Sequence, residues 1–385
     1  MINPRASSLN DSTTLKITAL TKRLRQEGKD IVNFAAGEPD FDTPDFIKEA
    51  AIKAISDGFT KYTPSSGILE LREAIARKLK EENQLDVGPE DIIVTAGAKY
   101  AIFAALFALV SEGEEVIIPS PYWVSYPEMV KLTGGTIRFL ETREDNNFKI
   151  EVSDLKKVIS KNTRVLVLNY PNNPTGVTYT YEELKQIYDI IKDKKNITVI
   201  SDEIYEALTY DGKKHVSFGA FNGAGDCTVT INGFSKTFSM TGWRMGYLVA
   251  SRQIINTVSK IIDHTTSCPS SVSQKAAQAA LSDRSWQIKA KNEFEKRRDL
   301  LWGELSQCRK LKPVKPEGTF YMFCDIAKTG LSSFEFSTKL LEEQLVSCIP
   351  ADAFGKEGFI RLSFATSMER ISKGIDRIKA FIKEA

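Results

Sequence analysis

Histidine is scarce in this sequence, since only His215 and His264 occur among its 385 residues. Two histidines without ligand-like spacing give no basis for a His-based metal centre or a histidine-driven catalytic triad, so we expect no metal site. Cysteine is also sparse: the five cysteines are scattered, and no CxxC pair occurs. This usage favours a reduced protein of the cytoplasm over a disulfide framework.

Excess charge and long apolar runs are missing as well. The formal net charge of +2 gives no electrostatic reason to expect nucleic acid or an acidic membrane as a partner. The longest apolar run, "YAIFAALFALV" at 100–110, is too short to span a bilayer, and residues 1–14 contain no apolar signal core. We therefore expect a globular protein that binds neither nucleic acid nor membrane.

Short apolar strands alternate with helical patterns through most of the chain. Stretches such as "DIIVTAGA" and "NITVISDEIY" end in polar or small residues and precede a helix or a loop. This order predicts an α/β fold whose mostly parallel central sheet is flanked by helices, with ligands beyond the carboxyl ends of the strands. Ser153 is the predicted N-cap of a helix in "EVSDLKKVIS". Further helices are predicted over residues 45–56, 69–82, 98–110, 180–193, 285–310, 333–344 and 368–383.

The alternation of short apolar strands and helices stops near residue 285, where a long charged helix is predicted to begin. The strands and helices after it predict a smaller α+β domain, which the N-terminal segment completes. We expect a large domain over residues 46–285, and a small domain built from residues 1–45 and 286–385.

Lys236 has unusual neighbours in "NGFSKTFSMTGWR", where it stands among small and aromatic residues. A lysine in a poorly hydrated site at a strand end has a lowered pKa and can form a Schiff base with an aldehyde. The alternative is an ordinary surface or salt-bridged lysine. The choice between the two depends on what surrounds it.

Asp202 ends an apolar strand in "SDEIY". A buried carboxylate is unfavourable unless it is paired, and a pyridinium nitrogen is a suitable partner. Tyr205, three residues later, could reach the same ligand. The alternative is a capping aspartate beside a core tyrosine.

Three further features suit a phosphate and an aromatic oxygen. "TAGAK" at 95–99 ends a strand at a helix start, where free N–H groups bind anions. Arg244 and Ser235 flank Lys236, and an arginine fork fits phosphate. Asn173 in "NYPNNPTG" can bond a phenolate oxygen or a carboxylate, unless it only forms an Asn-Pro turn. One ligand satisfies all of these groups: pyridoxal 5′-phosphate.

Six motifs occur in a familiar order: "GEPDFDTP", "SPYWVSYPEM", "NYPNNPTG", "SDEIYE", "SKTFSMTGWRMGY" and "IRLSFATS". Together they closely resemble the class I aminotransferases of fold type I, in particular the bacterial subgroup of aspartate aminotransferases. The resemblance runs from about Ser12 to the C-terminus. It implies a pyridoxal-phosphate enzyme whose substrates are amino acids and 2-oxo acids.

The resemblance also implies a role for each matching residue. Lys236 would hold the cofactor and move the proton, Asp202 would face the ring nitrogen, and Tyr205 and Asn173 would donate to the ring oxygen. Trp123 would lie beside the ring, or else be a core tryptophan. Tyr62 would reach the phosphate from the other subunit of a homodimer with a shared active site. The phosphate and substrate region would contain Gly97, Ala98, Lys99, Ser235 and Arg244, and the bonds Ser120-Pro121 and Asn173-Pro174 would be cis.

The substrate residues follow in the same way. Arg361 would bind the α-carboxylate, unless an internal carboxylate pairs with it, and Gly37 would allow substrate to approach the backbone. Lys99 and Thr14 match the positions that recognise a second carboxylate, although Lys99 could instead neutralise the phosphate. We expect transfer of the amino group of aspartate to a 2-oxo acid such as 2-oxoglutarate. A dual aspartate/prephenate enzyme, a broader aminotransferase, another pyridoxal-phosphate enzyme and a retired regulatory domain stay open.

Overall fold

The computed structural model describes residues 2–10 and 13–384 of the chain, without the side chains of residues 13–16 and 384. Its helices and strands are numbered here in chain order. The helices are α1 (Pro4–Ser7), α2 (Thr13–Gln26), α3 (Asp45–Ser56), α4 (Leu69–Lys78), α5 (Ala98–Leu109), α6 (Ser125–Thr133), α7 (Val152–Val158), α8 (Tyr181–Ile191), α9 (Arg252–Asp263), α10 (Ser271–Ala280), α11 (Ser285–Leu305), α12 (Ser333–Gln344) and α13 (Met368–Glu384).

The strands form three sheets. They are β1 (Val32–Asn33), β2 (Ile92–Thr95), β3 (Glu115–Ser120), β4 (Thr136–Glu141), β5 (Thr163–Asn169), β6 (Thr198–Asp202), β7 (Thr228–Gly233), β8 (Gly246–Val249), β9 (Lys312–Pro313), β10 (Tyr321–Asp325), β11 (Val346–Ser347), β12 (Ile349–Pro350) and β13 (Phe359–Ser363).

The central sheet has the strand order β2-β8-β7-β6-β5-β3-β4. All neighbours in it are parallel except β8, which runs antiparallel to β2 and β7. Its middle strands β6 and β7 are buried along their whole length, as expected for a sheet covered on both faces. The carboxyl ends of β2, β3, β5, β6 and β7 meet at one edge, which confirms the predicted α/β fold.

Amphipathic helices cover this sheet for reasons visible in the sequence. In α8 the Thr180 side chain accepts a bond from the Glu183 N–H and caps the helix. Leu184, Ile187 and Ile191 then recur at helical spacing and are buried. Helix α5 is apolar almost all round, and it packs between the sheet and its neighbouring helices.

Several helix ends differ from their predictions, and three of the differences have a clear local form. Ser153 does not cap α7: the Glu151 carbonyl already accepts bonds from the next turn, so Glu151 is the N-cap and Ser153 lies inside the helix. The helix predicted over residues 69–82 changes after Lys78 into a π-helical turn, Leu79–Asn83, that ends at a left-handed Gln84. Helix α11 ends at Leu305, five residues before the predicted end.

The smaller α+β part combines the two ends of the chain. Its antiparallel sheet has the order β12-β13-β10-β9, and β1 pairs in parallel with β11. Helices α11, α12 and α13 pack on these strands around a core that includes Phe294, Phe336 and Leu362. This pairing of N- and C-terminal segments is the predicted one, while the division into domains at residues 45 and 285 stays a prediction.

Within residues 2–10 and 13–384, no helix combines the length and the apolar character that a membrane span requires.

Candidate active site

A large cavity of about 1120 Å³ lies beyond the carboxyl edge of the central sheet and extends to β13. It brings together most of the residues that the sequence predicted for the site, although they are spread over more than 300 positions. The cavity is lined by Gly37, Ala98, Lys99, Trp123, Asn173, Asp202, Tyr205, Ser235, Lys236, Arg244 and Arg361.

Lys236 follows β7 and directs its ammonium group into this cavity. Its Nζ donates a hydrogen bond of 2.6 Å to the carbonyl oxygen of Gly37. Burial lowers the pKa of Lys236 to about 8, and the cations Arg361, Arg244 and Lys99 lower it further, against the opposing charge of Glu38. The unprotonated amine is therefore far more populated near neutral pH than it is for an exposed lysine.

Asp202, the last residue of β6, is a buried carboxylate without a cation. Tyr126 Oη donates to its Oδ2 at 2.6 Å, and the Ile204 N–H donates to its Oδ1 at 3.3 Å. Burial raises the pKa of Asp202 to about 6, although these two donors act in the opposite direction. No Lys, Arg or His among the described residues lies within ion-pair distance of it. A positively charged ring nitrogen would supply the missing partner.

Two glycines shape an anion cradle at the start of α5. Gly97 has a φ of +86°, and a Cβ there would lie 2.6 Å from Arg244 Nη2. A Cβ on Gly246, the first residue of β8, would lie 2.2 Å from the backbone nitrogen of Ala98. Only glycine allows this close approach of β8 and Arg244 to the start of α5, whose first-turn N–H groups have no partner within the helix. Such a concave group of donors fits a phosphate.

Arg361 is a buried cation on β13, and it too has no charged partner within the part of the chain that the structure describes. Its Nη1 donates to Asn173 Oδ1 at 3.0 Å, and its Nη2 donates to the Ala35 carbonyl at 3.2 Å. Its Nε has no partner among the described residues. The guanidinium lies 4.1 Å from the ring centroid of Tyr321, and burial lowers its pKa. No carboxylate among the described residues pairs with it.

The remaining predicted residues lie around these groups. Tyr205 Oη donates to Tyr321 Oη at 3.1 Å, and burial holds the pKa of Tyr205 well above its usual range. Trp123 stands at 84° to Tyr126, with ring centroids 5.2 Å apart. Lys99 Nζ lies 4.9 Å from the Trp123 centroid, and burial and the nearby Arg244 lower its pKa. Ser235 is buried beside Lys236.

Two residues predicted for the site, Tyr62 and Thr14, are not among the described residues that line the cavity. The Tyr62 side chain is 90% exposed and does not line the cavity. Thr14 lies in α2, but its side chain is outside the described part of the structure. Both bonds predicted to be cis, Ser120-Pro121 and Asn173-Pro174, are cis, and Tyr170-Pro171 is a third.

The sequence interpretation missed Tyr126, Tyr321 and Glu38. Tyr126 follows Trp123 by three residues at the start of α6, and this helical spacing could have placed both on one face. Glu38 accepts a bond from Thr241 Oγ1 at 2.7 Å, so it bridges the N-terminal segment to the Lys236 loop. Tyr321 gives no comparable signal, because its contacts with Tyr205 and Arg361 join segments that are distant in sequence.

Comparisons with known proteins agree with this geometry. Residues 29–378 match the family described as aminotransferase class I and II. The aspartate aminotransferase of Bacillus subtilis (strain 168) is 43% identical, over 99% of this chain and 98% of its own. The probable aspartate/prephenate aminotransferase of Aquifex aeolicus (strain VF5) is also 43% identical, over 99% and 98%. The structure of the Thermus thermophilus aspartate aminotransferase with maleate superposes with a TM-score of 0.95, at 39% identity and 99% coverage of both chains.

Proposed function

The chain belongs to the class I and II aminotransferases, and from this premise we propose that it transfers the amino group of aspartate to a 2-oxo acid such as 2-oxoglutarate. One observation carries the proposal. A single cavity holds an amine with a pKa of about 8 (Lys236), a buried carboxylate (Asp202) and a buried guanidinium (Arg361), and neither of the last two has an ion-pair partner among the described residues. An amine, an unpaired carboxylate and an unpaired guanidinium suit an amino-acid substrate of an aminotransferase. The names of the relatives reported above specify aspartate as a substrate.

The residues of the cavity fit pyridoxal 5′-phosphate as the cofactor. The cradle at Gly97, Ala98 and Lys99, with Ser235 and Arg244, would hold the phosphate. Asp202 would face the ring nitrogen and Trp123 the ring plane. Asn173 Oδ1 already accepts from Arg361, so the Nδ2 group of Asn173 would donate to the ring oxygen. Tyr205 would be a second donor once its hydroxyl proton turns from Tyr321 Oη to the ring oxygen.

When bound, pyridoxal phosphate supplies an aldehyde that exchanges amino groups and a ring that withdraws electrons from the substrate Cα. The protein groups bind, orient and move protons. Arg361 binds the α-carboxylate through the donors that face the cavity, which fixes the direction of the Cα–H bond. Lys236 Nζ then accepts the Cα proton, for which a pKa of about 8 is close to the working pH.

Lys99 is the proposed partner of the second carboxylate of aspartate, with Thr14. Its Nζ lies over the Trp123 ring at the cavity wall rather than in an ion pair with any described carboxylate. Arg361 and Lys99 both line this cavity, and both lower the pKa of Lys236. A dicarboxylate would place each of its charges at a separate cation, one at Arg361 and one at Lys99.

The direct test is product analysis. Purified protein with pyridoxal phosphate, aspartate and 2-oxoglutarate should form oxaloacetate and glutamate in equal amounts. Formation of alanine instead would mean β-decarboxylation and would contradict the proposal. Absence of any product, with cofactor bound, would favour a domain that has lost its activity.

A second candidate is a dual aspartate/prephenate aminotransferase. Tyr122 stacks on Phe139 with centroids 5.0 Å apart, and both rings line the cavity with Ile102 and Ile137. This apolar wall could accept an oxo acid that carries a ring as well as a dicarboxylate. Comparing kcat/KM for oxaloacetate, prephenate and phenylpyruvate as amino acceptors separates this enzyme from an aspartate-specific and from a broad one.

We also propose a homodimer in which Tyr62 completes the phosphate site of its partner. Its 90% exposure suits a residue that contacts a second copy, and Ile52 and Ile55 of α3 are exposed apolar side chains as well. Complementation tests this arrangement. A mixture of Lys236→Ala and Tyr62→Ala chains, refolded together, should regain activity that neither variant has alone, because one site of the mixed dimer holds both wild-type residues. No regain from a dimeric mixture would contradict a shared site.

A further inference from the structure

A second group of buried charges lies behind the active site. This rear network consists of Lys78, Asn83, Glu203, Glu206, His215 and Ser217, and it joins α4 and its π-helical turn to the segment after β6. Glu203 directly follows Asp202, and successive side chains of an extended chain point to opposite faces. Asp202 lines the cavity, while Glu203 is fully buried on the other side.

Glu203 is surrounded by hydrogen-bond donors. His215 Nε2 lies 2.8 Å from its Oε2, and Ser201 Oγ donates to its Oε1 at 2.8 Å. The others are Tyr170 Oη at 3.3 Å, the Phe218 N–H at 3.3 Å and the hydroxyl of Ser217. These five contacts use the acceptor capacity of both oxygens.

A metal ion does not suit the rear network, although ligand atoms of Glu203, Glu206 and His215 lie within 4.8 Å of one another. The ammonium group of Lys78 already bonds Glu206 and reaches Asn83 Oδ1 at 2.7 Å. An added divalent cation would meet this positive charge and would have to displace the donors around Glu203. Metal binding therefore does not explain why these charged groups are buried together.

Glu203 is linked to the active site by two short paths. Its own N–H donates to the Ile231 carbonyl of β7, the strand that leads to Lys236. Its carboxylate holds Tyr170, whose N–H donates to the Asp202 carbonyl at 3.2 Å. Tyr170 also begins the loop that carries Asn173.

The second path continues into the substrate site. Asn169 Nδ2 donates to the Asp202 carbonyl at 3.1 Å, and Asn169 Oδ1 accepts from the Asn173 N–H at 2.9 Å. Asn173 Oδ1 in turn orients Arg361. A displacement of Tyr170 would therefore reach both the ring-nitrogen partner and the carboxylate-binding arginine.

We propose that Glu203 is a positioning residue for the active site: it fixes Asp202 from behind and, through the Tyr170 hydroxyl, the loop that orients Asn173 and Arg361. The proposal rests on the proposed aminotransferase function. Glu206 provides the contrast, because its carboxylate bonds only Lys78 and Asn83 among the described residues, and none of these bonds reaches Tyr170 or Asp202.

The test compares Glu203→Ala with Glu206→Ala in the full-length holoenzyme. Three quantities are measured: kcat and KM for aspartate, the dissociation constant of pyridoxal phosphate by fluorescence quenching, and the thermal midpoint of the cofactor-free protein. Both variants should lower the thermal midpoint. Only Glu203→Ala should reduce kcat/KM, by about 100-fold, since small displacements of catalytic groups have effects of that size. It should also weaken cofactor binding by about tenfold.

Two milder variants keep the test decisive if Glu203→Ala does not fold. Glu203→Gln keeps the shape and part of the acceptor capacity, so it should restore most of kcat/KM. Tyr170→Phe removes only the hydroxyl, and it should raise KM for aspartate about fivefold with a smaller change in kcat. If Tyr170→Phe, and Glu203→Ala where it folds, lower the thermal midpoint but leave KM, kcat and the cofactor dissociation constant within twofold of wild type, the role is only structural and the inference is overturned. A wild-type protein that neither binds the cofactor nor transaminates refutes the proposed function instead.

Discussion

Asp202 and Glu203 are adjacent carboxylates, both buried, and they have opposite surroundings. Asp202 receives one side-chain donor and one backbone donor, and faces a cavity. Glu203 is bonded by five groups and faces the interior. The same chemical group at consecutive positions thus leaves acceptor capacity for a ligand in one case and none in the other. Hydrogen-bond satisfaction, not burial, separates the carboxylate that can receive a ligand from the one whose oxygens are taken up by its own protein neighbours.

The charged groups around these two carboxylates follow the same division. On the cavity side, burial shifts Lys236, Lys99, Arg361 and Asp202 toward their neutral forms: it lowers the pKa of each cation and raises that of Asp202. In the rear network burial also raises the pKa of Glu206, but Lys78, His215 and Asn83 outweigh it, and that pKa falls below its usual value. The cavity charges lack the partners that the rear charges have.

The largest expected effect is that of Lys236→Ala. Removing the amine takes away the group that accepts the Cα proton, so transamination of aspartate should fall by about 10⁴-fold or more. Steady-state assays with excess pyridoxal phosphate measure this change. The circular dichroism spectrum should stay that of wild type, since Nζ makes one hydrogen bond, to Gly37. Near-normal turnover in this variant would contradict the role of Lys236.

Asp202→Asn should have the next largest effect, and it should separate activity from stability. Without the carboxylate a ring-nitrogen charge has no counter-charge, so kcat should fall by about 10³-fold. The cofactor-free protein should become more stable at pH 8. A buried acid with a raised pKa stabilises the fold below its unfolded pKa of 3.8, and this contribution is lost as the pH rises through about 6.

The stability difference between Asp202→Asn and wild type should therefore depend on pH. A shift of this size corresponds to about 3 kcal/mol above pH 7, and the difference should shrink as the pH falls below 6. Denaturant unfolding of the two cofactor-free proteins between pH 4 and pH 8 measures it. A variant that is less stable than wild type at pH 8 would contradict the picture of an unsatisfied carboxylate.

Lys99→Ala tests the proposed contact between Lys99 and the second carboxylate of aspartate. Loss of the cation should reduce kcat/KM for aspartate by about 30-fold, and that for phenylalanine by less than about threefold, because a charged contact to the side chain exists only for the dicarboxylate. Parallel kinetics with the two amino acids give the ratio. Equal losses on both substrates would mean that Lys99 serves the phosphate instead.

Lys78→Met should have the smallest effect on activity. The lysine is buried against Glu206, so its removal leaves a carboxylate without a cation and should lower the free energy of unfolding by about 3 kcal/mol. kcat for aspartate should stay within about twofold, because Lys78 does not line the cavity. A large loss of kcat in a well-folded variant would show that the rear charges act on the reaction directly.

The sequence predicted the cavity side well for physical reasons. Helices α3 and α12 occupy their predicted residues, because apolar periodicity marks them clearly. Asp202, Lys236 and Asn173 lie at the carboxyl ends of neighbouring parallel strands, and the α/β fold alone requires those ends to meet.

The rear network could not be predicted in the same way. Its members come from α4, from the π-helical turn Leu79–Asn83 and from residues 203–217, and only the folded chain brings them together. Glu203 and Glu206 belong to the "SDEIYE" motif, but the sequence analysis assigns a role only to Asp202 and Tyr205 of that motif. The N-cap of α7 could not be predicted from residue type either. Ser153 is a good capping residue, but the helix begins two residues earlier, with Glu151 as its N-cap.

The central claim is that the amine of Lys236, alone among the lysines, binds the aldehyde of pyridoxal phosphate in this cavity. Borohydride reduction of the purified protein with pyridoxal phosphate, followed by mass spectrometry of its peptides, tests it most directly. The account predicts one pyridoxyl group per chain, on Lys236, and loss of this label when aspartate is added before the reduction. Labelling of another lysine, or no stable label, would contradict it.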